Sequence, residues 1–572
     1  MELAPRRRAF PLARIESTVR PIVNALLHGY DPYSTIRLAL VLLGLSKLLK
    51  ALRKAWMHRA AGLTGLYDWA LSCVAPLMKK LPIVQKELGK EMDKLRLDLK
   101  KDISKDLTSP CALLPASGQG EGALLELMKR RQHLDTQGWM PGKVTGAIYH
   151  GDLEYMAFIG RVYGMFAFTN PLHMKLHPST RQMESEVIAM VLRLYNAPSD
   201  ACGAFTTGGT ESILMAMKAY RDWGAETKGI TRPNVVACST VHAAFDKAAQ
   251  FFGIELRKAG FADDEHEIDL IQVRRLIDSN TVALVGSAPQ YPTGSIDNIP
   301  ALSELARKHG LGLHVDCCLG GFLLPFMEKA GFQPPHLYDF RVEGVTTISC
   351  DPHKYGFAPK GSSILMFRSK ELRHAMYSFA TQWSGGIYAT PTILGSRPGG
   401  VVAATWAAMM RHGEAGYVET TREIVGATRR IGEAIRSMDG VRLVGRPDVC
   451  VVGFTGASPD VNCYSLIDAL KQVGQWELAT LQKPAAVHLA LTLPSSRNAD
   501  VFIHEMKEAL AMLRADPAKW SGGTAGLYGS ATKMPAAFIE ESAKVFLDAM
   551  TEFSSGESGA EANGVNGSHA AQ

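Results

Sequence analysis

The chain has 572 residues, of which 46% are apolar, 21% charged and 8% aromatic. These are the proportions of a packed globular protein and exclude a mainly disordered or fibrous chain. Its 62 Lys+Arg and 56 Asp+Glu leave a formal charge of +6, and its nine scattered cysteines form no CxxC pair. A disulfide framework and a zinc site of common spacing are therefore excluded, and a reducing compartment is expected for the body.

Charge is uneven along the chain. Residues 1–105 hold twenty Lys+Arg against nine Asp+Glu, a net of +11, which leaves −5 on the rest. These basic residues interleave with leucines, not with base-stacking aromatics, so a membrane surface is the expected anionic partner and no nucleic acid is. In the N-terminal segment 1–60, the candidate membrane helix is 35–53. Its longest uncharged run, Leu38–Ser46, has nine residues, against the roughly 18–20 that a full span needs. A single-pass and a peripheral arrangement both stay open. If the segment spans, the basic flank Lys47, Lys50, Arg53, Lys54 and Arg59 should stay on the cytosolic side.

Residues 61–140 read as a basic amphipathic helical segment and linker. Val84, Leu88, Met92, Leu95, Leu99 and Ile103 recur at helical spacing, with Glu87/Lys90, Glu91/Lys94 and Asp98/Lys101 as ion pairs on the other face. Pro110, Pro115, Gly118, Gly120 and Gly122 mark residues 107–125 as linker. Between 141 and 395, apolar β-rich runs (234–238, 281–287, 311–316, 345–350, 362–367) alternate with helical patterns at 179–195, 210–223, 270–279 and 300–309. Ser179 with Gln182 suggests a capping box for the first of these helices. The alternation predicts an α/β domain with a mostly parallel central sheet. Residues 396–438 read as helices within a small C-terminal α+β domain, 396–550, and 551–572 as a disordered tail.

Four features of the large domain carry chemistry. Thr206-Thr207-Gly208-Gly209-Thr210-Glu211-Ser212 opens a helix, and its glycines let backbone amides approach an anion at the helix N-terminus. It is not a GxxxxGK[ST] loop, so nucleotide hydrolysis is disfavoured. His242 follows a strand, Asp316 closes the apolar strand Leu311–Asp316, and Lys354 lies in Asp351-Pro352-His353-Lys354-Tyr355-Gly356. Each alone has a bland reading: a turn, a structural histidine, a helix cap, a surface lysine. In this order they are the four groups that pyridoxal 5'-phosphate needs: phosphate cradle, ring-stacking histidine, partner for the pyridinium nitrogen, and Schiff-base lysine. No metal is expected.

These segments, together with GAIYHGD (146–152), NPLH (170–173), LVGSAPQYPTGSID (284–297), HVDCCLGGFLLPFMEKAGF (314–332) and GGIYATPTILGSRPGG (385–400), resemble the sphingosine-1-phosphate lyase family over about residues 80–550. The resemblance implies fold type I, the aspartate aminotransferase-like fold, with membrane-associated N-terminal helices at the endoplasmic reticulum and a homodimer with shared sites. It implies cleavage of a sphingoid base 1-phosphate into a long-chain aldehyde and phosphoethanolamine. By position, Lys354, Asp316 and His242 take the lysine, pyridinium and stacking roles. Thr207, Gly208, Gly209 and His353 hold the cofactor phosphate, and Cys318 lies beside the ring. Tyr388 and Ala389 match a loop that crosses a dimer interface. Tyr149, Asn170, His173 and Lys360 match positions around the substrate phosphate, and Tyr528 is a further pocket residue. Pro352, Cys317 and Met174 depart from the family pattern without removing a charged group. An amino acid decarboxylase on the same scaffold and an inactive membrane scaffold are the competing expectations.

Overall fold

The computed structural model describes residues 79–104, 113–520 and 536–552. The candidate membrane helix 35–53, Tyr528 and nearly all of the tail lie outside the described residues. Among the described residues, no helix is long and apolar enough to cross a membrane.

Two compact units divide the chain. The smaller contains most of helix α1 (Pro82–Ser104) together with the helix Ala536–Thr551. The apolar period of α1 is expressed as expected: Val84, Leu88, Met92, Leu95 and Leu99 are half-buried, whereas Ile83 and Leu97 face solvent. Lys90 pairs with Glu87 at 2.8 Å. Both partners are exposed, so the pair adds well under about 1 kcal/mol. Lys79 also holds Glu541, at 2.8 Å.

The larger unit begins with a correction. The expected linker 107–125 ends early, because helix α2 starts at Glu121 and runs to Gln137 (Glu121–Gln137). Gly120 and Gly122 sit at its cap and first turn, where glycine costs less than in a helix interior. Helix α3 (Leu153–Phe166) is capped by Asp152, whose Oδ1 accepts from the Tyr155 amide at 2.7 Å. The capping box expected at Ser179 is not formed. Helix α4 (Pro178–Leu194) has His177 at its cap and Pro178 in the first turn. Ser179 is therefore already inside the helix, and Gln182 turns to Glu186 instead, at 2.7 Å.

Seven strands form the main sheet: β1 (Cys202–Thr206), β2 (Asn234–Cys238), β3 (Glu255–Ala259), β4 (Thr281–Ser287), β5 (Gly312–Cys317), β6 (Thr347–Cys350) and β7 (Ser363–Phe367). Their order is β1-β7-β6-β5-β4-β2-β3. All neighbours pair in parallel except β7, which runs antiparallel to β1 and β6. The parallel core strands are buried on both faces, as continuous apolar runs require. The edge strand β3 exposes the charged Glu255 and Lys258, which discourages edge-to-edge pairing. Helix α5 (Gly209–Lys228) follows β1, and α6 (Ala244–Phe252) follows β2. The expected helix 270–279 stops at Leu276, as α7 (Leu270–Leu276). Beyond it the Asp278 amide donates to the Thr281 hydroxyl at 2.9 Å, turning the chain into β4. Helix α8 (Ile299–His309) leads into β5.

A short hairpin, β8 (Ser378–Ala380) and β9 (Tyr388–Thr390), precedes α9 (Gly399–Ser437), which is two helices meeting at Gly413, φ 57°. The smaller sheet, of β10 (Val441–Leu443), β11 (Val451–Gly456), β12 (Ala479–Leu481) and β13 (Ala486–Ala490), is antiparallel throughout. Residues 143–149 lie along it: the Thr145 amide donates to Glu477 O and the Gly146 amide to Ala490 O, both at 2.9 Å. This contact carries Tyr149 to the carboxyl edge of the main sheet, where ligands of open α/β sheets bind.

Candidate active site

β1 ends in a turn that only glycine suits. Gly208 has φ +150°, and a Cβ on Gly209 would stand 2.7 Å from Asp351 Oδ2 and 2.8 Å from Cys318 Sγ. The backbone therefore enters α5 with its first amides unpartnered and facing a cavity of about 540 Å³, lined by Thr207, Gly208, Gly209, Thr210, His242, Cys318, Asp351, His353 and Lys354. Thr207 is engaged. Its amide and hydroxyl both donate to Glu211 Oε2, at 2.7 and 2.5 Å, while Glu211 Oε1 accepts from the Ile393 amide at 3.2 Å. One buried carboxylate thus ties the cradle to the loop that follows β9.

Lys354 Nζ is 2.9 Å from Asp351 Oδ2, with Asp351 almost completely buried. Burial works against the lysine's charge, but Asp351 overrides it and holds the ammonium above its ordinary range. Burial likewise opposes the Asp351 charge, and Lys354 and His353 hold the carboxyl below its usual range. His353 is pulled down by burial. Two buried polar atoms here, Asp351 Oδ1 and His353 Nδ1, lack a hydrogen-bond partner.

Asp316 lies at the end of β5. Its Oδ1 accepts from the Cys318 amide at 3.0 Å and from Ser349 Oγ at 3.3 Å. It shares a second cavity, of about 210 Å³, with Tyr149, His242, Cys318, Lys354, Tyr291 and His488. His242 accepts the Ala244 amide on Nδ1 at 3.1 Å, which places its proton on Nε2 and fixes the ring at the start of α6. His242, Cys318 and Lys354 line both cavities.

Of the four residues expected around a second phosphate, two come together. Lys360 Nζ lies 4.5 Å from the centre of the Tyr149 ring. Burial, then the charge of Lys354, pulls Lys360 down to about 8, while burial pushes Tyr149 up to about 12. Asn170 and His173 lie on the turn before α4 and line none of these cavities. The Asn170 side-chain oxygen accepts the Leu172 and Arg397 amides, at 3.0 and 3.1 Å, and His173 is exposed. Tyr388 and Ala389 are exposed on β9 and also stand outside the cavities. Sequence reading overlooked Asp351, Glu211, Tyr291 and His488. The signal for Asp351 was an acid one helical turn before the nominated lysine. Tyr291 and His488 reach the site only through the packing of the smaller sheet.

The residues fit pyridoxal phosphate. The cradle around Gly208 and Gly209 has no Cβ to fill it, and His353 Nδ1 is a buried polar atom without a partner. Asp316 and Lys354 face one shared space, and among the described residues no His/Cys/Asp/Glu group could hold a metal ion. Fold and site together define an α/β enzyme dependent on pyridoxal phosphate. A family model described as the pyridoxal-dependent decarboxylase conserved domain matches residues 129–456. The sphingosine-1-phosphate lyase of Drosophila melanogaster is 40% identical over 477 residues, covering 82% of this chain and 87% of that one. The lyase of Saccharomyces cerevisiae is 40% identical, covering 86% and 83%. A solved sphingosine-1-phosphate lyase from Burkholderia pseudomallei superposes with a TM-score of 0.70 at 35% identity, covering 79% of this chain and 99% of that one. The chain belongs to the sphingosine-1-phosphate lyase family, and its cofactor is pyridoxal phosphate.

Proposed function

We propose that the chain cleaves the C2–C3 bond of sphingoid base 1-phosphates in a retro-aldol reaction, giving a long-chain aldehyde and phosphoethanolamine. The observation that carries this reading is a second cation outside the lining of the cofactor cradle: Lys360, its ammonium over the Tyr149 ring, in a cavity it lines with Tyr149, His150 and His353. A substrate phosphate needs a cation away from the reacting carbon, whereas an amino acid carries its carboxylate on the amine-bearing carbon itself.

When bound, pyridoxal phosphate supplies an electron sink for the charge left on the amine-bearing carbon. In this reading Lys354 is the attachment lysine and carries protons at that carbon, with Asp351 setting its charge. Asp316 keeps a proton on the ring nitrogen, which maximises the pull of the ring. His242 covers the ring face, and Cys318 packs beside it. Gly208, Gly209 and His353 hold the cofactor phosphate, while Thr207, whose two donors are taken by Glu211, braces the turn and is not free to bind it. Lys360 and Tyr149 orient the substrate phosphate.

The unit of function in this reading is a homodimer. Phe168 is 98% exposed and Ile387 83%, and Met165, Met174, Leu176 and Phe379 are exposed beside them in sequence. Apolar exposure on this scale marks an interface. A second copy on these segments would bring Tyr388, Ala389, His173 and Asn170 to a neighbouring site. Sedimentation equilibrium should give twice the chain mass, and charge substitution at Phe168 and Ile387 together should give an inactive monomer. A wild-type monomer with full turnover would overturn the dimer.

The reaction is tested by product analysis on protein supplied with pyridoxal phosphate and a long-chain sphingoid base 1-phosphate. Aldehyde and phosphoethanolamine are expected in equal amounts. Carbon dioxide from an amino acid, without aldehyde, would overturn the assignment.

A further inference from the structure

The register of β5 on β6 builds a buried polar chain behind Asp316. In the parallel pairing, Asp316 faces Ser349 and His314 faces Thr347. Residues two apart on a strand share a face, so all four side chains meet on one side of the sheet. Ser349 Oγ reaches Asp316 Oδ1 at 3.3 Å, and His314 Nε2 reaches Ser349 Oγ at 3.2 Å. Thr347 Oγ1 reaches His314 Nδ1 at 2.8 Å, and the Tyr220 hydroxyl reaches Thr347 Oγ1 at 2.5 Å. His314, Thr347, Ser349 and Tyr220 are each 0% exposed, so bulk water does not reach them and their side chains hydrogen-bond to one another.

The direction of the chain follows from its end. An ionised carboxylate only accepts, so Ser349 donates to Asp316. The serine has no other proton, so it accepts from His314, whose proton must then sit on Nε2. Nδ1 accepts from Thr347, whose only proton is then used, so Thr347 accepts from Tyr220, and Tyr220 in turn accepts from Thr346 Oγ1 at 2.7 Å. Every donor points toward Asp316, and such chains polarise cooperatively. The ring of His314 stays neutral in this arrangement: burial pulls it down to about 4, and Phe245 packs against it, centroids 5.8 Å apart. At 3.2–3.3 Å the two bonds nearest Asp316 are long. They orient the carboxylate and do not share a proton with it. Both internal donors to Asp316, Ser349 and the Cys318 amide, use Oδ1.

We propose that His314, fixed in its Nε2–H tautomer by Thr347 and Tyr220, is a positioning residue that acts through Ser349 to hold Asp316 Oδ1, so that Oδ2 is the oxygen presented to the ring nitrogen of the cofactor. The proposal rests on the pyridoxal phosphate reading of the site. It assigns a role to residues that touch neither cofactor nor substrate.

The test uses the full-length holoenzyme with Ser349→Ala, Thr347→Val, His314→Leu and His314→Gln. Glutamine keeps a donor and an acceptor where leucine has neither. For Ser349→Ala, Thr347→Val and His314→Leu, kcat should fall about tenfold, the scale of one lost hydrogen bond to a charged group, while substrate KM stays within about twofold. The visible band of the lysine-bound cofactor should shift in the same three variants, and pyridoxal phosphate should leave them faster on dialysis. His314→Gln should recover most of kcat and the wild-type band. Unchanged kcat and spectrum in Ser349→Ala would overturn the relay and leave the cofactor assignment standing. So would equal loss in His314→Gln and His314→Leu together with a matching loss of thermal stability, because packing alone would then explain the effect. A wild-type protein with no visible band and no borohydride-fixed cofactor on Lys354 would overturn the cofactor reading, and the relay with it.

Discussion

Replacing Lys354 with alanine is expected to lower turnover by about a thousandfold or more, since covalent attachment and proton transfer at the reacting carbon are lost together. Borohydride should then fix no cofactor to the chain. The same substitution removes the partner of a carboxylate that is 1% exposed and already has one oxygen without a hydrogen bond. Breaking a buried pair from one side costs about 3–5 kcal/mol, so the variant should also melt earlier. In the cofactor-free wild type, Asp351 is held below its ordinary value. Its contribution to stability is therefore present above the unfolded carboxyl pKa and is lost as pH falls through the folded one. In Lys354→Ala the sign reverses, because burial without the ammonium favours the protonated acid, and the variant should lose stability as pH rises. The double variant Lys354→Ala/Asp351→Asn separates the two effects: it should regain stability and remain inactive. Measurable aldehyde release by Lys354→Ala at near wild-type rate would remove the lysine from the mechanism.

What was legible in the sequence is what local physics dictates. Alternating apolar runs and helical periods gave the α/β core, with strands 234–238 and 281–287 at their observed bounds. Thr207-Gly208-Gly209 announced a close backbone approach because few other functions need two glycines at a helix start. Asp316 and Lys354 were found because each sits at a strand's carboxyl end, where the fold places its ligands. Pairings across the sheet were not legible. Nothing local says that β7 inserts antiparallel between β1 and β6, that Glu211 reaches the Ile393 amide, or that Ser349 links His314 to Asp316. These depend on register, which the strand sequences do not state individually. Helix α2 was hidden for another reason: its two flanking glycines read as linker, and its weakly amphipathic sequence buries no residue. The Ser179 box failed because Pro178, which suits a first helical turn, moved the cap back to His177.

Lys360→Ala should raise KM for the phosphorylated substrate about tenfold while leaving pyridoxal phosphate affinity nearly unchanged. Among the described residues, no carboxylate lies within ion-pair distance of Lys360, and its ammonium rests on the Tyr149 ring. A substrate phosphate would supply the missing counter-charge. Lys360 is exposed, so losing its charged contact costs about 1.5 kcal/mol, and each 1.4 kcal/mol is about tenfold in affinity. The pH dependence gives a second, independent reading. Burial and the charge of Lys354 bring Lys360 down to about 8, so the free enzyme loses this cation as pH rises through that value. In the wild type, kcat/KM for the phosphorylated substrate should therefore decline above about pH 8. Lys360→Ala should show a low profile without that decline, and Lys360→Arg, whose guanidinium keeps its charge, should hold its kcat/KM through the same range. The alanine variant tests the separation of the two anion sites expected from the sequence, the cofactor cradle and the substrate phosphate. If Lys360→Ala weakened the cofactor and spared KM, Lys360 would belong to the cradle at Gly208. His353 stands at that cradle, with the Gly208 Cβ position 3.5 Å from its ring, and Lys360 lines a neighbouring cavity with Tyr149 and His150.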